Sequence, residues 1–132
     1  MDAVYVPPML HKGPIPVAVH GIIEYLAGVL FIAAPYLFDF QATRATTLSI
    51  VVGVVILVVA AVSKGPTGLI DELPVSAHVV LDFVLAVFLI AASFLFGFSE
   101  DGKATAFFIV LGVAHLLITI ATRFVRTDPA AA

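Results

Sequence analysis

The stretch IPVAVHGIIEYLAGVLFIAAPYLF, Ile15 to Phe38, decides the fold class. Glu24 is its only charged residue. At roughly 1.5 Å per residue it makes a helix of about 36 Å, long enough to cross a bilayer with some tilt. Three more stretches have the same character. Ala45 to Ser63 carries no charge between Arg44 and Lys64, Pro74 to Phe98 carries only Asp82, and Ala104 to Thr122 carries none between Lys103 and Arg123. Valine and isoleucine are abundant, but hydrocarbon offers the backbone no hydrogen-bonding partner, so spans of this length are read as helices. The alternating polarity of a membrane β-barrel is absent.

Composition agrees. Of 132 residues 62% are hydrophobic and 11% charged, with a mean hydropathy of +1.20. A domain this small cannot hide so much apolar surface in its own core, so the excess faces lipid. The net charge of -3, with no run of either sign, leaves no footprint for nucleic acid. Cysteine is absent, which removes disulfides, thiolate metal sites and cysteine nucleophiles together. Met1 to Pro16 lacks the basic start and short apolar core of a secretory signal, so the first helix is expected to stay in the mature protein.

The connections Asp39 to Arg44 and Ser99 to Lys103 are short and force antiparallel hairpins. The middle connection, KGPTGLIDEL from Lys64 to Leu73, stops the second helix with Gly and Pro. It offers Asp71 as an N-cap and Pro74 at the first turn of the third helix. Leu69 and Ile70 are expected to rest in the membrane interface.

The two hairpins are copies of each other. An offset of 58 sets His20 on His78, Glu24 on Asp82, and Ile32, Ala33, Ala34, Leu37, Phe38 and Phe40 on Ile90, Ala91, Ala92, Leu95, Phe96 and Phe98. After one inserted residue the offset is 59, and Arg44, Ala45, Thr46, Gly53 and Lys64 meet Lys103, Ala104, Thr105, Gly112 and Arg123. The expected fold is therefore an all-α membrane protein, a single transmembrane domain over 1–132. Its four transmembrane helices form two tandem helical-hairpin repeats, about 15–64 and 74–124. Each copy has two spans, so the copies share one orientation and their pseudo-twofold lies along the membrane normal. Lys12, Lys64, Arg123 and Arg126 lie on the side of the termini, against Arg44 and Lys103 opposite, which favours both termini in the cytoplasm.

AAPYLFDF at Ala33 to Phe40 and AASFLFGF at Ala91 to Phe98 resemble the signature of the SPW-repeat membrane proteins of bacteria. That family is named for Ser-Pro-Trp near the end of the first helix of a two-span repeat, typically followed by an aliphatic run and Gly-Phe. Here the first copy keeps the proline (Ala34, Pro35, Tyr36) and the second a serine and the Gly-Phe (Ser93, Phe94, Gly97, Phe98), with no tryptophan anywhere. The resemblance covers roughly residues 17–124. It implies the fold and a place in the bacterial inner membrane, and carries no biochemical activity with it.

Five residues are out of place in hydrocarbon: His20, Glu24, His78, Asp82 and His115. Counted from the helix ends, all five fall in the half of the bilayer nearest the termini. The i to i+4 spacing puts each of His20 and His78 on one helical face with its acid. Helix two has Ile56 where helix four has His115, so the cluster breaks the repeat symmetry. A mid-span charge costs on the order of 3 kcal/mol, so the acids must be paired, protonated or near the interface.

Three readings remain open. In the first, the polar pairs only fix packing within the bundle or against another subunit. In the second they bind a cofactor: a haem b on the histidines His20, His78 or His115, or a divalent metal such as zinc or iron on His20, Glu24, His78 and Asp82. In the third they relay protons or ions, although only Thr46, Ser49, Ser93 and Thr105 continue a path outward. The serines show neither a nucleophile elbow nor an adjacent base, so no enzymatic activity is expected. Gly53 and Gly112 are expected to allow close helix crossings and Pro35 to kink helix one, and His115, Thr119, Thr122 and Arg126 form a stripe along helix four read first as ordinary packing and otherwise as a face turned to protein or to lipid headgroups. The first expectation for function is an accessory or scaffold subunit of a membrane complex. Its partners would be the lipid bilayer and other membrane protein subunits or a homo-oligomer.

Overall fold

The computed structural model describes residues 13–124. Lys12 and Arg126, used above for orientation and for the helix-four stripe, lie outside them. Its four helices are α1 (Val17–Leu37), α2 (Thr43–Val62), α3 (Val75–Leu95) and α4 (Gly102–Ala121), each long and apolar enough to cross a membrane. The chain is an all-α, four-helix membrane protein. Two short strands, β1 (Ile15–Pro16) and β2 (Thr122–Arg123), flank them.

Helix ends follow from local chemistry repeated in both hairpins. Pro16 and Pro74 occupy the N-cap positions of α1 and α3 in extended conformation, φ -64° and -61°. Proline there fixes φ and gives up an N–H that a helix start leaves unpaired. Asp71, expected as the cap of α3, lies in the preceding turn instead, because the chain still has to return along α2 before α3 begins. At the far ends, Phe40 N–H donates to the Pro35 carbonyl (3.0 Å) and Phe98 N–H to the Ser93 carbonyl (2.9 Å). This is a Schellman ending, which needs a left-handed residue between. Gly97 supplies it at φ 71° and Asp39 at φ 53°. The Gly-Phe of the signature is thus a helix terminator that turns Phe98 back into the core.

α2 packs on α1 and α4 on α3. The first crossing is tight at Gly28 and Gly53: a Cβ on Gly28 would sit 2.7 Å from the Leu57 side chain, and one on Gly112 2.8 Å from Ile90. Small residues at such crossings let membrane helices approach closely. Phe31, Leu89, Phe98 and Phe108 fill the outer half of the interior. Edge-to-face contacts join Phe31 to Phe108 (ring centroids 5.7 Å) and Phe98 to Phe108 (5.2 Å).

α1 continues through Pro35 to Leu37. Proline has no N–H to give the carbonyl of Phe31, four residues back. The Ser49 hydroxyl of α2 takes its place, donating to that carbonyl at 2.6 Å. In the second hairpin Ser93 replaces the proline, and Phe108 stands where Ser49 would be.

The hairpins are closed into a ring by backbone pairing at the other end. Ser63 bridges Leu73 in parallel, and Thr122 of β2 pairs in parallel with Ile15 of β1. The offsets 58 and 59 make these the same bridge used twice, each joining the end of one repeat to the start of the other. On the outer side Asp101 accepts from the backbone N–H groups of Gln41 (2.8 Å), Ala42 (2.9 Å) and Ala104 (3.2 Å).

Two measurements check this account. Ser49→Ala should destabilise the protein by about 1 kcal/mol in denaturant titrations, and Pro35→Ala added to it should restore most of the loss by returning the N–H. Desolvation raises the Asp101 carboxyl, but its three N–H donors and Lys103 outweigh this and leave it below its ordinary value. Its contribution is therefore present above about pH 3.9 and lost as pH falls through the lower folded value. Asp101→Asn should reduce stability at neutral pH and flatten the acid limb of the stability curve.

Candidate metal centre

The ring closure places the polar residues. His20 and His78 come one turn into α1 and α3, each five residues after the bridging residue of its repeat. Glu24 and Asp82 follow one turn deeper. All four are buried, with side chains between 2% and 9% exposed.

Their polar atoms alternate around a closed ring. His20 Nε2 lies 3.0 Å from Glu24 Oε1, which lies 2.7 Å from His78 Nε2. His78 Nε2 and His20 Nε2 each lie 3.3 Å from Asp82 Oδ2. Each imidazole therefore meets both carboxylates, its own at i+4 and the one across the pseudo-twofold. His115 stands outside this ring, with Nε2 3.5 Å from the other Asp82 oxygen, Oδ1. The structure thus brings together all five residues singled out in the sequence.

Two further residues complete the site. Ser63 Oγ meets His78 Nδ1, and Thr122 Oγ1 meets His20 Nδ1 at 2.8 Å. Each hydroxyl already donates its one proton to the carbonyl four residues back, Ser63 to Val59 and Thr122 to Ile118 (2.6 Å). The hydroxyl oxygen is then an acceptor, and Nδ1 of each histidine is the donor. Nε2, turned toward the carboxylates, is left to carry either a proton or a metal ion. Phe124 packs edge-on against His20, ring centroids 5.0 Å apart.

Sequence reasoning passed over these hydroxyls, placing Thr122 only in a packing stripe. The signal was available: an offset of 59 sets Ser63 on Thr122, both hydroxylated, at the end of the second helix of each repeat. Thr119 and Thr122 of that stripe are fully buried and face protein rather than headgroups.

The family of the SPW repeat domain matches residues 18–122. The chain belongs to the SPW repeat family. No curated protein and no solved structure matches it. In this SPW-repeat chain the signature and the polar ring occupy opposite ends of the bundle. Pro35 lies about 22 Å along α1 from His20, at 1.5 Å per residue. The signature residues terminate helices, and the chemistry-bearing residues lie at the end of the bundle where the ring closes.

The donor set tests the cofactors considered from sequence. Four ligand atoms, one from each residue, lie within 4.8 Å of one another, so the ring's diagonals must contract for a tetrahedral ion while its edges need little change. Bonds of about 2.0–2.2 Å to two imidazoles and two carboxylates in a tetrahedron separate the ligands by about 3.3 Å, close to the edges of this ring. Asp82 Oδ2 is buried and, among the described residues, makes no well-aligned hydrogen bond although two imidazole nitrogens lie 3.3 Å away, an arrangement that suits an oxygen sharing a metal ion with them. A haem b does not fit. The two Nε2 atoms are joined through single carboxylate oxygens where a porphyrin would have to pass. The cavities against His20 and His78, about 50 and 30 Å³, are far too small for the macrocycle, and the larger groove of about 350 Å³ beside Glu24, Asp82 and His115 reaches neither of those two histidines.

Ser63→Ala and Thr122→Val should act alike, because they remove equivalent acceptors. Each is expected to cost about 1 kcal/mol, and imidazole ¹⁵N spectra should show His78 or His20, respectively, losing its fixed Nδ1–H form while the other histidine keeps it.

Proposed function

We propose that this SPW-repeat chain binds one divalent first-row metal ion, zinc or iron(II), between its two repeats, with His20, Glu24, His78 and Asp82 as ligands. The alternating ring of two Nε2 and two carboxylate oxygens carries this reading. Borderline nitrogen ligands and hard oxygens in a set of four suit such ions. The hydroxyls of Ser63 and Thr122 hold each imidazole by Nδ1, the outer support that metal-ligating histidines commonly have. The ion supplies the positive charge that two buried carboxylates and two neutral imidazoles lack, which offsets a burial cost of several kcal/mol.

On this reading the protein is a non-enzymatic metal carrier or accessory subunit of a bacterial inner-membrane complex, with both termini cytoplasmic and the ion toward the cytoplasmic leaflet. A proton relay is less well supported, since Phe31, Leu89, Phe98 and Phe108 fill the interior outward of the site. A role confined to packing needs no convergence of four ligand atoms, and the poorly aligned contacts of Asp82 Oδ2 with both imidazoles favour an ion shared among them.

Metal analysis of protein purified in mild detergent should find one ion per chain after equilibration with zinc or iron(II). His20→Ala with His78→Ala should abolish it, and Ser63→Ala or Thr122→Val should weaken binding about tenfold. No stoichiometric metal, or metal retained by the double histidine variant, would overturn the reading and leave the ring as a packing device.

A further inference from the structure

α2 packs on α1 and α3 on α4, but α2 and α3 stand apart. Between them runs a groove of about 350 Å³. Its walls are apolar, built by Val51, Val55, Leu81, Val84 and Phe88, and three of these valines, Val51, Val55 and Val84, are about half exposed toward the surrounding lipid. Glu24, Asp82 and His115 lie at its floor, their polar atoms almost wholly covered.

His115 is the odd member of that floor. The four-atom ring is complete without it, and the other repeat does without it, carrying the buried Ile56 in its place. Yet a polar side chain is kept inside the membrane with a buried Nε2 that has no hydrogen-bond partner among the described residues. A polar atom so placed is costly, and such residues mark ligand sites and pathways. Apolar walls, a few convergent polar groups and a volume above 300 Å³ are the usual make-up of a small-molecule site. Because the opening is sideways, the occupant arrives through hydrocarbon rather than from water.

We propose that the α2–α3 groove binds a membrane-dissolved apolar molecule bearing one hydroxyl, an alcohol or phenol, whose oxygen enters between His115 and Asp82 as the partly exposed His115 ring turns its covered Nε2 toward the groove. These two side chains are 3.5 Å apart at Nε2 and Oδ1, too long for a good mutual hydrogen bond. A hydroxyl satisfies both, accepting from the imidazole N–H and donating to the carboxylate. An ether or carbonyl satisfies only the first, and a hydrocarbon neither. The walls select the apolar body and His115 selects the head.

Protein in phosphatidylcholine nanodiscs can be titrated with radiolabelled 4-nonylphenol, counting binding in excess of empty discs. The expected result is one saturable site per chain, displaced by unlabelled 4-nonylphenol at least tenfold better than by nonylbenzene or 4-nonylanisole. His115→Ile, which installs the residue of the other repeat, should abolish that preference. Val84→Trp, a lipid-facing change that fills the groove, should abolish saturable binding. Equal displacement by nonylbenzene would mean a gap filled by acyl chains only and would overturn the proposal, as would absence of saturable binding or an unchanged preference in His115→Ile. Running both zinc-loaded and metal-free protein separates this from the metal reading. Selective phenol binding without zinc binding sustains the groove alone, and zinc binding without selective phenol binding sustains the metal centre alone.

Discussion

Two carboxylates held inside a membrane span set the terms for the rest of this molecule. Water cannot solvate them there, so every neighbouring element is arranged to supply what they need. Each carboxylate faces both imidazoles, and each imidazole is fixed from behind by a hydroxyl whose own proton is already committed to a carbonyl. None of these partners would be in place without the parallel bridges Ser63 to Leu73 and Thr122 to Ile15, which bring the end of each repeat beside the first turn of the other. The helices provide length and an apolar exterior, and the ring-closing segments provide the site.

The outer half of the bundle is governed by different physics. Aromatic packing and close helix crossings hold it together, and one backbone defect, the missing N–H of Pro35, is repaired by a side chain from the neighbouring helix. The family signature belongs to this half. It specifies how a helix ends and how a phenylalanine returns to the core, which explains why a signature can mark a family without touching its chemistry.

Much of this was legible in the sequence. Two charge-free spans, bounded by Arg44 and Lys64 and by Lys103 and Arg123, and two spans with a single acid each predicted all four helices, and the matching offsets predicted two hairpins in one orientation. His20, Glu24, His78 and Asp82 were visible because polar residues in hydrocarbon are rare. What could not be read was the cross-pairing of His78 with Glu24 and His20 with Asp82, since i to i+4 spacing reports only contacts within a helix. The hydroxyls of Ser63 and Thr122 were hidden for another reason. Serine and threonine are unremarkable at helix ends, and their meaning depends on backbone bridges between residues far apart in the chain. The displaced cap at Asp71 has a similar origin, because pairing of Leu73 with Ser63 fixes where α3 begins.

The reciprocal bridges have an evolutionary consequence. Each repeat lends its terminal hydroxyl to the other's histidine, so one hairpin alone keeps its own histidine–acid pair but only half of every contact across the twofold, and two identical hairpins would complete all of them by symmetry. A homodimer of two-span chains would complete such a site equally well. Two copies in one polypeptide need not be identical, and they differ at Pro35 with Ser93, Ser49 with Phe108 and Ile56 with His115. The first two exchanges keep the packing equivalent by other means. The third places a single imidazole on one side of a twofold site, which a symmetric dimer could never do.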